Sequence, residues 1–142
     1  MLKNLHVLVV DDDPAILETL GNYITGLGHR VTTCGNPRDA EDLLRDEDFS
    51  LLITDAQMEG MDGLELTRAA RNAHPSMGIL LMTAFESAYP LSTALRAGAD
   101  GYINKPFSLR KFSLVFERDY WESLSRLDWW EAQGGDPVPG AN

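Results

Sequence analysis

The chain has 142 residues, of which 44% are hydrophobic and 24% are charged, a composition typical of one globular domain with a substantial core. Its formal net charge of -10 argues against direct nucleic-acid binding by this domain, because phosphate recognition requires a basic surface. No apolar run approaches the roughly 18 residues of a membrane span, and the N-terminus lacks the layout of a cleavable signal, so we expect no membrane association. The single cysteine, Cys34, cannot form an internal disulfide and predicts a reducing, cytoplasmic location.

Apolar runs of strand length alternate along the chain with segments that carry helix start and stop signals. The predicted strands are 5–10, 29–34, 49–54, 78–83 and 100–104. The predicted helices begin at Pro14 after an Asp13 cap, at Pro37 after Asn36, at Leu64, near Pro90 and at Ser108. This alternation predicts an α/β fold with a five-stranded parallel sheet, helices on both faces and right-handed crossovers.

Apolar positions spaced by three and four predict which helix faces are buried. The stripe of the first helix, which Gly28 ends, comprises Ile16, Leu17, Leu20, Ile24 and Leu27. In the last helix, 108–131, we expect Leu109, Phe112 and Phe116 to face the core. The residues predicted to continue this apolar surface beyond the sheet are Tyr120, Trp121, Leu124, Leu127, Trp129 and Trp130.

Hydrophilic side chains end or follow four of the predicted strands. Asp11 and Asp12 follow the first, Asp55 the third, Thr83 ends the fourth and Lys105 follows the fifth. Ligands of open parallel sheets bind at the carboxyl ends of the strands, where we expect these side chains to meet. Three converging carboxylates repel one another, and Mg²⁺ or Mn²⁺ offsets that repulsion. A metal beside a carboxylate indicates phosphoryl transfer onto it, for which a lysine and a hydroxyl are suitable partners.

These motifs resemble the receiver domain of two-component response regulators, the CheY-like family. The resemblance covers about residues 3 to 120, with 28 residues from Asp55 to Thr83 and 22 from Thr83 to Lys105. The matching motifs are Val9 to Pro14, Asp55 to Gly63, Met82 to Ala84 and Ala97 to Phe107. The resemblance implies the flavodoxin-like, doubly wound strand order 2-1-3-4-5.

The resemblance also implies a phosphorylation chemistry centred on Asp55. This residue would accept a phosphoryl group from a histidine kinase or a phosphotransfer protein. Asp11 and Asp12 would hold Mg²⁺ (or Mn²⁺) together with Asp55 and the backbone carbonyl of Gln57. Lys105 would pair with the phosphoryl group, and Lys105-Pro106 would be a cis peptide bond.

A conformational switch is implied as well. Thr83 would move to hydrogen-bond the phosphoryl group, and Tyr102 would rotate inward behind it. The chain departs from the family pattern at Glu59, which stands in place of a proline, and at Pro90, which is expected to shorten the fourth helix. Gln57 and Phe85 occupy the positions that tune dephosphorylation, and the bulk of Phe85 predicts a slow reaction.

The predicted organisation is a receiver domain over 1–120, a helical extension over 121–133 and a flexible tail over 134–142. The extension suggests a homodimer through the last helix or a connection to an output domain, because an apolar stripe in water usually marks a partner surface.

Three other functions share parts of this pattern. A haloacid-dehalogenase-like phosphatase also uses an aspartyl nucleophile, but expects a second aspartate where Gln57 stands. A phosphorylation-independent pseudo-receiver would be expected to lack Asp55, Lys105 or one aspartate of the acidic pair Asp11 and Asp12, and none of these is missing. A flavodoxin needs a phosphate-binding loop after the first strand, where aspartates would repel a phosphate.

Overall fold

The computed structural model describes residues 4–58, 62–84 and 91–132, except the side chains of 91 and 122–132. The strands are His6–Val10 (β1), Arg30–Cys34 (β2), Leu51–Asp55 (β3), Gly78–Ala84 (β4) and Gly101–Lys105 (β5). The helices are Pro14–Gly26 (α1), Pro37–Asp46 (α2), Gly63–Ala73 (α3), Leu91–Ala97 (α4) and Leu109–Ala132 (α5). None of the helices in the described ranges is long and apolar enough to span a membrane.

All five strands are parallel, in the order β2-β1-β3-β4-β5, which confirms the predicted fold class. The central strand β3 is buried along its whole length, as its unbroken apolar sequence predicts. β3 starts at Leu51 and ends at Asp55, two residues later than predicted at its start and one later at its end. The phosphoacceptor candidate is therefore the last residue of the strand itself.

Side chains of successive strand residues point to opposite faces of the sheet, and each face has its own core. Leu8, Leu52 and Leu81 pack under α2, α3 and α4. Val9 and Ile53 belong to the other core, which α1 and α5 cover. Helices with an apolar face are thus required on both sides of the sheet.

The helix N-termini follow the predicted capping chemistry. Side-chain oxygens of Asp13 and Asn36 accept backbone N–H groups of α1 and α2, and Pro14 and Pro37 occupy first-turn positions. Asp62 caps α3 in the same way, by accepting the N–H of Leu64 at 2.7 Å.

Two of the predicted inward-facing leucines are exposed. Leu27 is 48% exposed because α1 ends at Gly26, so Leu27 is the C-cap and leaves the helical period. Leu109 is 42% exposed because it is the first residue of α5, which leads into the core only at Phe112. The predicted assignments of these two side chains to the core were wrong.

Tyr120 is also placed differently from its prediction, because it is 3% exposed and belongs to the core. Tyr120 packs against His29, which lies just before β2. The ring of His29 lies 5.9 Å from the ring of Phe116 and 5.7 Å from that of Tyr120. The backbone N–H of Leu5 donates to Nδ1 of His29 at 3.0 Å, and burial lowers the pKa of this histidine. Among the described side chains of α5, the packed ones therefore reach as far as Tyr120, and the neighbouring Trp121 is 49% exposed.

Arg71, near the end of α3, joins α3 to the segment between α4 and β5. Its guanidinium donates to the backbone carbonyl of Gly98 at 2.8 and 3.0 Å and to that of Met77 at 2.7 Å. It also pairs with Asp100, whose carboxylate accepts the N–H of Ile79 at 2.7 Å. Gly98 has a φ of +113°, and a Cβ there would lie 2.9 Å from the Arg71 side chain. Glycine is therefore required at this turn.

Several predictions concern parts of the chain outside the described residues. These are the roles of Glu59, Phe85 and Pro90 and the tail over 134–142. The side chains of Leu124, Leu127, Trp129 and Trp130 are outside them too. The backbone of α5 runs from Leu109 to Ala132, close to the predicted 108–131.

Candidate functional site

Asp11, Asp55 and Lys105 meet on the face of the sheet that α1 and α5 cover. Each lies two residues beyond a core residue of that face, so the strand alternation points all three side chains to the same side. The lysine Nζ donates to Oδ2 of Asp11 at 2.7 Å and to Oδ2 of Asp55 at 3.0 Å. The predicted convergence of these residues is present in the structure.

Lys105 compensates two carboxylates that are almost removed from water. Asp11 is 0% exposed and Asp55 is 7% exposed. Burial acts to lower the pKa of Lys105, but its hydrogen bonds and attraction to Asp11 and Asp55 outweigh burial and raise that pKa. The ammonium is therefore charged at neutral pH and offsets the repulsion between the two carboxylates.

A divalent cation suits the charge and the donors at this edge. Carboxylate oxygens of Asp11, Asp12 and Asp55 lie within 4.8 Å of one another, and Asp12 is exposed to solvent. Three carboxylates and the single ammonium of Lys105 leave two negative charges (-3 plus 1), and the donors are hard oxygen ligands of the type that Mg²⁺ prefers. These three residues could hold the ion, with an exposed member through which it can enter.

The loop after β3 is anchored to the Asp55 side chain and to the backbone around it. The N–H of Gln57 donates to Oδ1 of Asp55 at 3.1 Å, and the N–H of Gly63 donates to the carbonyl of Ala56 at 3.0 Å. A Cβ on Gly63 would lie 2.0 Å from the Asp55 carbonyl oxygen, a distance that no side chain can adopt. Gly63 thus lets the start of α3 approach the end of β3.

Thr83 and Tyr102 lie on the opposite face of the sheet from Asp55. Tyr102 is half-buried against the core under α2, α3 and α4, and Thr83 is 1% exposed. The hydroxyl of Thr83 donates to Oδ1 of Asn104 at 2.9 Å, and these residues are directly paired in the β4–β5 register. The Thr83 hydroxyl is therefore bonded to β5, on the face opposite Asp55.

Asn104 and Gly63 were not among the predicted site residues, although both lie in the motifs that match the receiver family. The signal for Gly63 was its place just before a helix start, where close backbone approach favours glycine. Asn104 could be found only from the pairing of β4 with β5, because it lies 21 residues from Thr83 in the chain. The predicted cis bond between Lys105 and Pro106 is present.

The model of the response regulator receiver domain family matches residues 7–116 of this chain. The transcriptional regulatory protein ZraR of Klebsiella oxytoca is 34% identical over 113 residues, which are 80% of this chain and 26% of ZraR. The response regulator MprA of Mycolicibacterium vanbaalenii is 36% identical over 107 residues, which are 75% of this chain and 46% of MprA. The chain thus spans less than half the length of these curated relatives.

Two solved structures agree with the sequence relatives. The CheY-like receiver domain protein from Methanospirillum hungatei superposes with a TM-score of 0.81 at 28% identity. That match covers 87% of this chain and 98% of the other. The beryllofluoride-activated NtrC4 receiver domain dimer has a TM-score of 0.76 at 26% identity, and the match covers 83% and 98% of the two chains.

The close packing of Gly63 against the backbone of Asp55 and Ala56 predicts that a larger residue at this position lowers stability. The substitution Gly63→Ala should lower the free energy of unfolding by about 1–3 kcal/mol, because backbone atoms of Asp55 and Ala56 must move to admit the methyl group. Urea unfolding measures this change.

The matched control is Gly26→Ala at the end of α1, where a Cβ meets nothing within 4 Å. This variant should stay within about 1 kcal/mol of the wild type, because alanine is the better helix former. Equal stabilities of the two variants would contradict the close packing at Gly63.

Lys105 and a divalent cation should compete for the same carboxylates. Without metal, Lys105→Met should lower the free energy of unfolding by about 1.5–3 kcal/mol, since two charge-assisted hydrogen bonds are lost. Mg²⁺ should then stabilise this variant more than it stabilises the wild type, because the ammonium that competes with the cation for these carboxylates is gone. Urea unfolding with a chelator and with Mg²⁺ gives both numbers.

Lys111→Met is the control for this comparison, because Lys111 is exposed on α5. It should match the wild type in both conditions. An equal Mg²⁺ effect in all three proteins would refute competition between Lys105 and the cation.

Proposed function

The chain belongs to the response regulator receiver domain family, and we propose on this basis that it is a phosphoacceptor switch whose phosphorylation site is Asp55. The observation that carries this proposal is the placement of the Asp55 carboxylate at the end of β3. One of its oxygens accepts the N–H of Gln57 and the other accepts Lys105, with Asp11 beside it. Receiver domains of response regulators act as signalling switches.

In the proposed reaction, a carboxylate oxygen of Asp55 attacks the phosphorus of a phosphohistidine on a sensor kinase or a phosphotransfer protein. The new P–O bond forms as the P–N bond breaks, and the electron pair of the broken bond stays with the imidazole nitrogen. The product is an aspartyl phosphate on this chain.

Lys105 is the residue that would stabilise the transferred group. Its Nζ already lies 3.0 Å from Asp55, so it can donate to a phosphoryl oxygen attached there without a large movement. Mg²⁺ or Mn²⁺, held by Asp11, Asp12, Asp55 and the Gln57 carbonyl, would supply further positive charge to the phosphoryl oxygens. Asp11, Asp12 and the Gln57 carbonyl would thus hold the ion beside the acceptor Asp55.

Thr83 and Tyr102 are the proposed switch residues. A phosphoryl group on Asp55 would attract the Thr83 hydroxyl, and the space behind Thr83 would then admit Tyr102 from its half-buried position. The change would appear on the α4 and β5 side of the domain. The chain would catalyse only its own phosphotransfer and a slow autodephosphorylation.

Phosphorylation of Asp55 is tested by mass spectrometry after incubation with acetyl phosphate and Mg²⁺. The wild type should gain the mass of one phosphoryl group, and Asp55→Asn should gain none, because an amide is not a nucleophile of this kind. Asp39→Asn, which changes an exposed aspartate on α2, is the control and should behave as the wild type. A full mass gain in Asp55→Asn would show that another residue is the acceptor.

The partners proposed for this chain are a histidine kinase or phosphotransfer protein in the cytoplasm and an effector that senses the switched state. The relatives are described as a transcriptional regulatory protein and a response regulator, and the present chain matches only part of each. A second copy of the chain is a further proposed partner. It would pair through the part of α5 that follows Tyr120.

Helix length supports this pairing. α5 has 24 residues, which corresponds to about 36 Å, while the five-residue strands are only about 17 Å long. The helix is therefore longer than the strands on which it packs, and the side chain of Trp121 is exposed. An apolar side chain at this position is suited to a partner surface.

Self-association is tested by light scattering over a range of concentrations. The full chain should form dimers, whereas a chain that stops after Tyr120 should be monomeric and should still fold, since it keeps the buried Tyr120. Both chains are measured with and without beryllofluoride, which mimics a phosphoryl group. Monomers under every condition would contradict pairing through α5.

A further inference from the structure

The Thr83 hydroxyl has only one proton to donate, and in this structure Asn104 receives it. The donor–acceptor distance is 2.9 Å, within the range of a good hydrogen bond. Thr83 is 1% exposed, so water does not replace Asn104 as its acceptor. The hydroxyl is therefore committed to the neighbouring strand.

The geometry of the sheet makes this bond specific. Thr83 and Asn104 are directly opposite each other in the parallel pairing of β4 with β5, and Leu81 pairs with Tyr102 one step earlier on the same face. Asp55, by contrast, lies on β3 and points to the other face with Lys105. Turning the hydroxyl toward a group on Asp55 requires that the bond with Asn104 breaks.

We propose that Asn104 is a positioning residue that holds Thr83 in the unswitched state and thereby sets how readily the domain switches. This inference rests on the proposed phosphorylation of Asp55 and adds a residue that regulates its consequence. A phosphoryl oxygen and the Asn104 side chain compete for one proton. Each phosphorylation must therefore overcome the Thr83–Asn104 bond before Thr83 can follow.

The two partners are unequal in what they lose when the bond breaks. Asn104 is only half-buried, so water can satisfy its amide afterwards. Thr83 is buried and needs a replacement acceptor, which a phosphoryl oxygen on Asp55 would supply. The bond thus favours the unswitched state until an acceptor appears at Asp55.

The central variant is Asn104→Leu, which keeps the branched shape but removes the acceptor. The dissociation constant for beryllofluoride in the presence of Mg²⁺ should fall about 3- to 10-fold, the range that corresponds to one ordinary hydrogen bond. Combining it with Thr83→Val provides the control. In the Thr83→Val protein, which has no hydroxyl to release, Asn104→Leu should leave the dissociation constant unchanged.

A second measurement reports on the bond without any ligand. Three-bond NMR couplings to the Thr83 methyl group give its χ1 angle in metal-free protein. The wild type should show one rotamer, and Asn104→Leu should show averaging between rotamers. Asn104→Asp has an acceptor of the same size and no donor, so it should restore the single rotamer.

These measurements separate the two proposals. A single unchanged Thr83 rotamer in Asn104→Leu, or the same affinity change with and without the Thr83 hydroxyl, overturns the role of Asn104. Failure of every protein, including the wild type, to bind beryllofluoride overturns the proposed function instead. The rotamer measurement then still decides whether Asn104 holds Thr83.

Discussion

The ammonium of Lys105 between Asp11 and Asp55 is the interaction on which the rest of the site depends. It places a cation between two carboxylates that have almost no access to water, and it comes from a strand that is 94 residues away from Asp11 in the chain. β5 is separated from β3 by β4, so the backbones of these two strands lie roughly 10 Å apart at the usual strand spacing. A long side chain with a compact charge at its end suits that span. Lys105 therefore compensates the negative charge of Asp11 and Asp55 only after β5 has joined the sheet.

The pleat of the sheet separates the groups that bind from the groups that respond. Asp11, Asp55 and Lys105 share the face that α1 and α5 cover. Thr83, Asn104 and Tyr102 share the other face, near α4. Because the side-chain period of a strand is two, a shift of one residue in either β4 or β5 would exchange these roles. β4 is buried from Gly78 to Thr83, so such a shift of β4 would be costly, which keeps the two functions on their own sides.

Sequence was most informative where one residue's chemistry decides local structure. Asp13-Pro14 and Asn36-Pro37 mark helix starts, and unbroken apolar runs mark buried strands, so the fold class followed directly. The convergence of Asp11, Asp55 and Lys105 followed from the rule that parallel strands share a carboxyl edge. The exposure of Leu27 and Leu109 was missed because both lie at helix ends, where the period of 3.6 no longer fixes direction. The burial of Tyr120 depends on His29, a contact between distant segments that periodicity does not contain.

The Arg71 bonds limit how α4 can move. The Arg71 guanidinium donates two hydrogen bonds to the carbonyl of Gly98 and forms an ion pair with Asp100. The end of α4 nearest β5 is therefore attached to α3. A displacement that keeps these bonds must be a swing about Gly98, in which the far end of the helix travels furthest. α4 has only seven residues, about 10 Å of axis, so a tilt of a given angle produces a small displacement at its tip. α4 is thus a short helix whose β5-side end is fixed to α3 and whose other end moves only a short distance.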